Sequence, residues 1–206
     1  MMTRRTIMTL AGATPLLLMP PLLGGWLARA QSAPSAVDFV KSTSDGLVAI
    51  VNSDDMPQEK RRRLSDVVAS SVDDQDIGRF CLGRFWDRAT PEQREQYMAV
   101  FHELLVTKIA AHLGDYRGVR VTMGPEHASD NTEIVITTVE RPGTPAYHVE
   151  WVVGTTAGGL KIIDLVAQGT SLRLTQSNDV ASYLARHQYS INELIEGMRQ
   201  LVASTQ

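Results

Sequence analysis

Cysteine, catalytic motifs and repeats are scarce or missing in this chain of 206 residues. The single cysteine, Cys81, excludes an intramolecular disulfide, so packing alone must hold the fold together. Its apolar neighbours in Ile77–Leu82 indicate a buried structural thiol. The sequence contains no HExxH, CxxC or GxSxG motif and no phosphate-binding glycine loop. The absence of repeats and low-complexity tracts excludes collagen, a coiled coil and a disordered tail.

Acidic residues are absent from the first thirty positions, where an apolar run follows two adjacent arginines. Thr3–Met8 resembles the twin-arginine export motif, and Ala28–Ala30 supplies the small residues that a signal peptidase reads. Residues 1–30 are therefore expected to be a cleaved, Tat-like signal peptide, and residues 31–206 a single domain exported to the periplasm. An uncleaved membrane anchor is the alternative, because about twenty apolar residues can span a bilayer. The choice between the Tat and Sec routes stays open.

Acidic residues outnumber basic residues in the chain that remains once that segment is removed. The whole chain has a formal net charge of −3, and residues 1–30 hold three arginines without any acid, so the mature chain is more negative still. Such a surface does not suit nucleic acid, and bulk charge disfavours attraction to an anionic bilayer. We therefore expect no nucleic-acid partner.

Helical patterns occupy the first half of the mature chain. Ser35 is expected to cap a first helix, a second is expected over residues 58–70, and Asp73 opens a short third. Thr90–Gln93 forms a capping box with proline in the first turn. This motif predicts a long helix from Pro91 to Leu113.

Beyond Gly118 the apolar period changes from helical to alternating. The pattern predicts four strands, Val119–Met123, Thr132–Glu140, Ala146–Thr155 and Leu160–Ala167. They form an antiparallel meander with one apolar face, which the long helix is expected to cover. Helices over Gln176–Arg186 and Ser190–Ala203 close the chain. The predicted fold class is α+β, with a curved antiparallel sheet of four or slightly more strands covered by N-terminal and C-terminal helices.

Titratable residues form no recognisable catalytic or metal-binding set in the sequence. The five histidines are scattered, and none pairs with another candidate at ligand spacing. Asp164 is unusual because it lies within an apolar strand, Lys161–Leu165. A buried carboxylate can act as a base, but acceptance of backbone amides is the preferred interpretation here. We expect no catalytic residue, no metal and no cofactor.

Two separated blocks of sequence resemble one known family. The second block is Lys161–Leu172, and the segment Gly197–Leu201 agrees with the family's closing helix. The first block comprises Asp73, Ile77, Gly78, Leu82, Gly83, Phe85, Trp86, Ala89, Thr90, Pro91, Gln93, Arg94, Tyr97 and Phe101. In order and spacing, these residues resemble the MlaC or toluene-tolerance family of periplasmic lipid-binding proteins, over nearly all of residues 35–203.

The resemblance implies a soluble, non-enzymatic carrier of phospholipid. Its partners would be an outer-membrane lipoprotein complex and an inner-membrane ABC transporter bearing MCE domains. It also implies an apolar cavity between sheet and helices that holds the acyl chains and leaves the headgroup outside. The side chains expected to line this cavity are Phe101, Leu105, Ile134, Ile136, Val149, Trp151, Ile163 and Leu165.

Two alternatives accompany this interpretation. The first is the same fold carrying a hopanoid or another polycyclic lipid, as a branch of the family does. The second is a small, cone-shaped α+β enzyme that uses Asp164 as a general base beside a tyrosine in an apolar pocket. The direction of transport, the headgroup, the number of acyl chains and the docking surface stay open.

Overall fold

Local capping signals set the helix boundaries in the computed structural model, which describes residues 35–111 and 113–205. Ser35 accepts a hydrogen bond from the Asp38 amide at the start of α1 (Ala36–Asn52). The Thr90 amide donates to Gln93 Oε1 at 3.0 Å, and the Gln93 amide donates to Thr90 Oγ1 at 3.2 Å. The predicted capping box therefore starts a helix at Pro91. The expected signal peptide, residues 1–30, lies outside the described residues.

Six α-helices and five β-strands form within the described part of the chain, which confirms the α+β class. After α1 the helices are α2 (Pro57–Ser71), α3 (Asp74–Leu82), α4 (Pro91–Ala111), α5 (Leu172–Arg186) and α6 (Ile191–Ser204). The strands are β1 (Arg120–Ser129), β2 (Thr132–Glu140), β3 (Tyr147–Thr156), β4 (Gly159–Ala167) and β5 (Thr170–Ser171). Short 3-10 turns occupy Gly83–Phe85 and Leu113–Tyr116. None of these helices combines the length and hydropathy that a membrane-spanning segment needs.

The strands form one open sheet in chain order, β1-β2-β3-β4-β5, with every neighbouring pair antiparallel. The predicted meander is therefore confirmed, with a short fifth strand added at the edge. Two bulges interrupt the pairing, one in β1 between Met123 and Glu126 and one where β3 pairs with β4. Bulges increase local twist, so they account for a curved sheet.

The apolar face of the sheet is covered by α1 rather than by the long helix. Buried side chains of α1 and of three strands form one group, here called the sheet cluster: Ala36, Val40, Val135, Trp151, Val153 and Ile162. The expectation that α4 covers the sheet is wrong, because α4 packs against α2, α3 and α6. Buried residues occur on several sides of α4, not on one stripe. A helix with this pattern is enclosed by other elements, because more than one of its faces must be kept from water.

Three further groups of buried side chains lie among the described residues. The helical cluster is formed by α3, α4, α5 and α6 and fully encloses Tyr97 and Phe101. The Val51 cluster joins Val51 to Val119 and Val139 at one end of the sheet, and the Leu64 cluster joins Leu64 and Val68 of α2 to Val106 of α4. The interior is thus divided into separate groups.

Candidate functional site

Three of the predicted lining residues share the sheet face that α1 covers. Directly paired residues of antiparallel strands lie on the same face, and Trp151 pairs with Val135 on one side and with Leu165 on the other. Val149 lies two residues from Trp151 and therefore faces the same way. Trp151 is buried in the sheet cluster, whereas Val149 and Leu165 are half-buried at its margin.

One polar contact fixes Trp151 within this apolar face. Its Nε1 donates to Thr137 Oγ1 at 2.9 Å, and Thr137 has no exposed surface. The Thr137 hydroxyl donates in turn to the Val149 carbonyl at 3.4 Å. A buried indole N–H must find an acceptor, so Thr137 allows the large Trp151 ring to be buried without an unpaired donor.

Phe101 and Leu105, the predicted lining residues of α4, pack against the helical cluster. The Phe101 ring is fully buried, with its centre 5.6 Å from the Tyr97 ring centre. The Tyr97 hydroxyl donates to the Gly78 carbonyl at 3.0 Å, and burial raises the pKa of Tyr97 well above its usual range. Leu105 is half-buried at the edge of this cluster, so it is the predicted α4 residue that keeps accessible surface.

Half-buried apolar side chains lie where the clusters meet. Val72 contacts the helical, sheet and Leu64 clusters, Leu47 contacts the last two, and Val149 contacts the sheet and Val51 clusters. These three residues, and Leu105 and Leu165, are half-buried, so each keeps accessible apolar surface at the margin of a cluster.

Backbone contacts hold Val72 at this junction. Val72 forms a parallel bridge with Ile162 of β4, and the Asp73 amide donates to the Ile162 carbonyl at 2.9 Å. The Lys161 ammonium donates to the last carbonyls of α2, at 3.2 Å to Ala69 and 2.6 Å to Ser70. A cation at a helix C-terminus satisfies carbonyls that have no partner within the helix. The link between α2 and α3 is therefore tied to the sheet.

The strand register corrects the face expected for Ile134 and Ile136. Val135 and Thr137 are the β2 residues that face α1, so the two isoleucines between them lie on the opposite face of the sheet. The residues on both faces of β2 are β-branched, so the sequence alone did not show whether Ile134 and Ile136 or Val135 and Thr137 point inward. Ile163 is the extra residue of the bulge where β3 pairs with β4. It is half-buried beside Gly154, where a Cβ atom would lie 3.3 Å from its Cγ2.

Two open surface grooves border α4, with volumes of about 450 and 570 Å³. Glu92, Gln96 and Arg199 are among the residues lining the first, and Asp74, Trp86 and His102 are among those lining the second. None of the eight predicted lining residues borders either groove. Both grooves are lined largely by polar and charged side chains, so neither is the apolar cavity expected between the layers, which stays a prediction.

Asp164 accepts hydrogen bonds that fix the start of α5. Its Oδ1 accepts from the Leu165 amide at 2.8 Å and the Arg173 amide at 2.9 Å, and its Oδ2 accepts from the Ser171 hydroxyl at 2.5 Å. Ser171 caps α5 by accepting from the Leu174 amide. The preferred interpretation of Asp164 as a structural acceptor is thereby confirmed. It also explains why α5 starts at Leu172, four residues before the predicted position.

Sequence reasoning missed an arrangement of Ser65, His102 and Asp74 on three helices. His102 Nδ1 lies 2.8 Å from Asp74 Oδ2, and its Nε2 lies 3.1 Å from Ser65 Oγ. The order resembles a hydrolase triad, but Ser65 is absent from the groove that His102 and Asp74 border. Ser65 also lies within α2, where backbone amides are bonded inside the helix and cannot stabilise an oxyanion. We interpret the three residues as a cross-link of α2, α3 and α4.

Within residues 35–111 and 113–205, no three His, Cys, Asp or Glu side chains meet as a metal site would require.

Comparison with known proteins places these observations in a family. The sequence matches the family of the MlaC protein over residues 41–200, from within α1 to within α6. The chain belongs to the MlaC family. The resemblance carried by the blocks Asp73–Phe101 and Lys161–Leu172 is therefore confirmed, and the matched range of this MlaC-family chain includes all five strands and most residues of the sheet and helical clusters.

A solved structure shares the fold of this MlaC-family chain. It is a phospholipid-binding protein from Ralstonia solanacearum, determined in complex with a phospholipid. The two structures superimpose with a TM-score of 0.72 at 24% sequence identity, over 84% of this chain and 99% of the other. At this identity the likeness establishes the common fold.

Proposed function

We propose that this protein is a periplasmic lipid carrier that holds phospholipid acyl chains between its sheet and its helices. The observation that carries the proposal is the set of half-buried apolar side chains at the margins of the helical and sheet clusters, including Leu105, Val149 and Leu165. Membership of the MlaC family and the shared fold with a protein solved in complex with a phospholipid support it.

The energetics of lipid transfer explain why such an interior is useful. Burial of about thirty methylene groups from a two-chain lipid is worth roughly 24 kcal/mol, at about 0.8 kcal/mol each. Free diffusion of the lipid through water is therefore negligible. A bilayer offers nearly the same gain, so a carrier with a hydrocarbon-like interior can load and unload close to balance.

Partners would then set the direction of transfer. We propose the outer-membrane lipoprotein complex and the MCE-domain ABC transporter of the inner membrane in that role, with export directed by residues 1–30. Cell fractionation of the full chain and of an Arg4→Lys, Arg5→Lys variant tests the location. Periplasmic wild type supports the proposal, whereas wild type confined to the cytoplasm contradicts it.

Lipid extraction of the purified protein, followed by mass spectrometry, tests cargo binding. The wild type should carry phospholipid in a defined ratio to protein. Val149→Trp should reduce that ratio several-fold, because a larger ring would fill the junction between the layers. Val152→Trp is the matched control, since Val152 pairs with Ile134 and Asp164 on the opposite face.

The outcomes of the extraction distinguish the alternatives. Protein without lipid, or equal lipid in the wild type and the Val149→Trp variant with folding retained, contradicts binding at this junction. A polycyclic lipid in place of phospholipid would keep the carrier function and change the cargo to the hopanoid class.

A further inference from the structure

A short segment around the end of α3 combines exposed arginines with aromatic rings that range from exposed, as in Phe80, to buried, as in Phe85. It contains Arg79, Arg84 and Arg88 interleaved with Phe80, Phe85 and Trp86, and these six residues are here called the arginine–aromatic surface. The turn Gly83–Phe85 reverses the chain after α3 and brings the rings and guanidinium groups together.

The guanidinium groups lie over the rings at cation–π distances. Arg79 lies 5.9 Å from the centre of the Trp86 ring, and Arg84 and Arg88 lie 5.1 and 5.8 Å from the centre of the Phe85 ring. Phe85 also stacks on Tyr189, with the ring centres 5.7 Å apart and an angle of 15° between the ring planes. The stacking restrains the arginines, so less side-chain freedom is lost when they bind an anion.

The charge of these arginines is not neutralised within the described residues. Arg79, Arg84 and Arg88 are exposed, and no carboxylate of that part of the chain forms an ion pair with them. Asp87 is the single acidic residue between Ile77 and Thr90. Among the other exposed arginines, Arg62 pairs with Glu59 and Asp66, Arg117 with Asp54, and Arg199 with Glu196. Arg120 and Arg186 are exposed and, like the three arginines here, form no ion pair within the described residues.

Exposed apolar side chains lie beside this positive charge. Phe80 is 37% exposed and Tyr189 is 53% exposed. Arg173 lies 3.9 Å from the centre of the Phe80 ring, so the start of α5 continues the surface, and its Leu172 and Leu174 are about half-exposed. Arginine beside exposed aromatic and aliphatic groups is the pattern that binds at a membrane–water boundary.

We propose that the arginine–aromatic surface docks the protein onto bilayers that contain anionic phospholipid. Guanidinium groups bind phosphate oxygens through paired hydrogen bonds, and the neighbouring apolar side chains enter the boundary between headgroups and acyl chains. The negative net charge of the chain does not prevent this contact, because screening limits charge interactions to about 8 Å at physiological salt. The exposed apolar groups favour a bilayer over an acidic protein surface. Only the biological purpose of this docking rests on the proposed carrier function, because docking would bring the carrier to its source of lipid.

Vesicle flotation tests the docking surface. The probes are phosphatidylcholine vesicles with and without phosphatidylglycerol as one third of the lipid. Each arginine near an anionic bilayer strengthens binding by about fivefold, so the Arg79→Gln, Arg84→Gln, Arg88→Gln variant should bind anionic vesicles about 100-fold more weakly. The matched control is Arg62→Gln, Arg117→Gln, Arg199→Gln, which removes the same charge from other elements and should change binding by less than about twofold.

Three results of the flotation experiment would overturn the docking surface, and one result of a separate column experiment would do so as well. They are wild type that fails to float with anionic vesicles, equal losses in the two triple variants, and undiminished binding of the variant in the arginine–aromatic surface. Retention of the wild type on immobilised polyglutamate without vesicle binding would also overturn it and assign the surface to an acidic protein. Loss of binding only in the first variant, weakened further by salt, supports it.

Cargo measurements separate this proposal from the carrier function. Lipid extracted from the variant in the arginine–aromatic surface should equal that of the wild type, because the three substituted arginines are exposed and lie over the Phe85 and Trp86 rings, which pack with the helical cluster. Wild type that floats with anionic vesicles but carries no lipid would keep the docking surface and remove the carrier function.

Discussion

At the scale of single residues, Trp151 shows how one polar group shapes an apolar site. Its ring fills the sheet cluster, while its N–H is satisfied by the buried Thr137 hydroxyl. The pair lies beside Val149 on the face proposed to contact acyl chains. Burial of the tryptophan ring therefore requires a polar acceptor on this otherwise apolar face.

Replacing Thr137 with valine should destabilise the fold by about 1–3 kcal/mol, because the buried Trp151 N–H would lose its acceptor. Urea unfolding followed by circular dichroism measures the change. In the double variant with Trp151→Phe, the unpaired donor is gone, so the combined loss should be smaller than the sum of the single losses. Additive losses would contradict the hydrogen bond.

Cys81 should be chemically inert in the folded protein. It is buried in the helical cluster, and burial raises the pKa of the Cys81 thiol to about 12. The native protein should therefore react with Ellman's reagent at pH 8 only as fast as it unfolds, and urea should make the reaction rapid. Fast labelling without denaturant would show that Cys81 is accessible.

The same pKa shift predicts a pH dependence of stability. The thiol ionises more easily in the unfolded chain, near its usual value of 9.0, than in the fold. Its stabilising effect is complete below pH 9 and is lost as the pH rises towards 12. Cys81→Ala should show less loss of stability over this alkaline range than the wild type.

At the scale of elements, the bulge in β1 depends on a glycine. A Cβ atom at Gly124 would lie 2.9 Å from the Ile136 carbonyl oxygen of the neighbouring strand. Backbone cannot move away as a flexible side chain can, so the close approach of β1 to β2 requires a residue without a Cβ atom.

Gly124→Ala should lower the free energy of unfolding by at least about 1 kcal/mol, measured by thermal unfolding. Gly46→Ala is the control. Gly46 lies inside α1, where an added Cβ atom would have nothing within 4 Å, so alanine should stabilise the helix by about 0.5–1 kcal/mol. Equal effects of the two substitutions would contradict the difference in packing.

At the scale of the whole molecule, the divided interior should couple stability to cargo. A ligand that binds only the folded state stabilises it by about 2.7 kcal/mol when present at 100 times its dissociation constant. Protein freed of lipid by unfolding and refolding should therefore melt at a lower temperature, and added phospholipid should restore the midpoint. The Val149→Trp variant should respond weakly. Equal midpoints with and without lipid would indicate an interior that is already closed.

The sequence by itself determined the features that depend on neighbouring residues. The caps at Ser35, Thr90 and Ser190 need only atoms within a few positions, so the helix starts there were predictable. Alternation of apolar residues and turn sequences determined the order of the main strands, and the residue spacing in the blocks Asp73–Phe101 and Lys161–Leu172 indicated the family.

Tertiary structure decided everything that depends on residues distant in the chain. Contacts between separate elements decided three features. They are the packing of α1 on the sheet, the face of β2 that points inward, and the start of α5 at Leu172. Apolar and β-branched residues occur on both faces of β2, so only pairing with Trp151 determines that Val135 faces the interior. The division of the interior into clusters arises in the same way, because it is a property of how the elements pack and not of any one sequence segment.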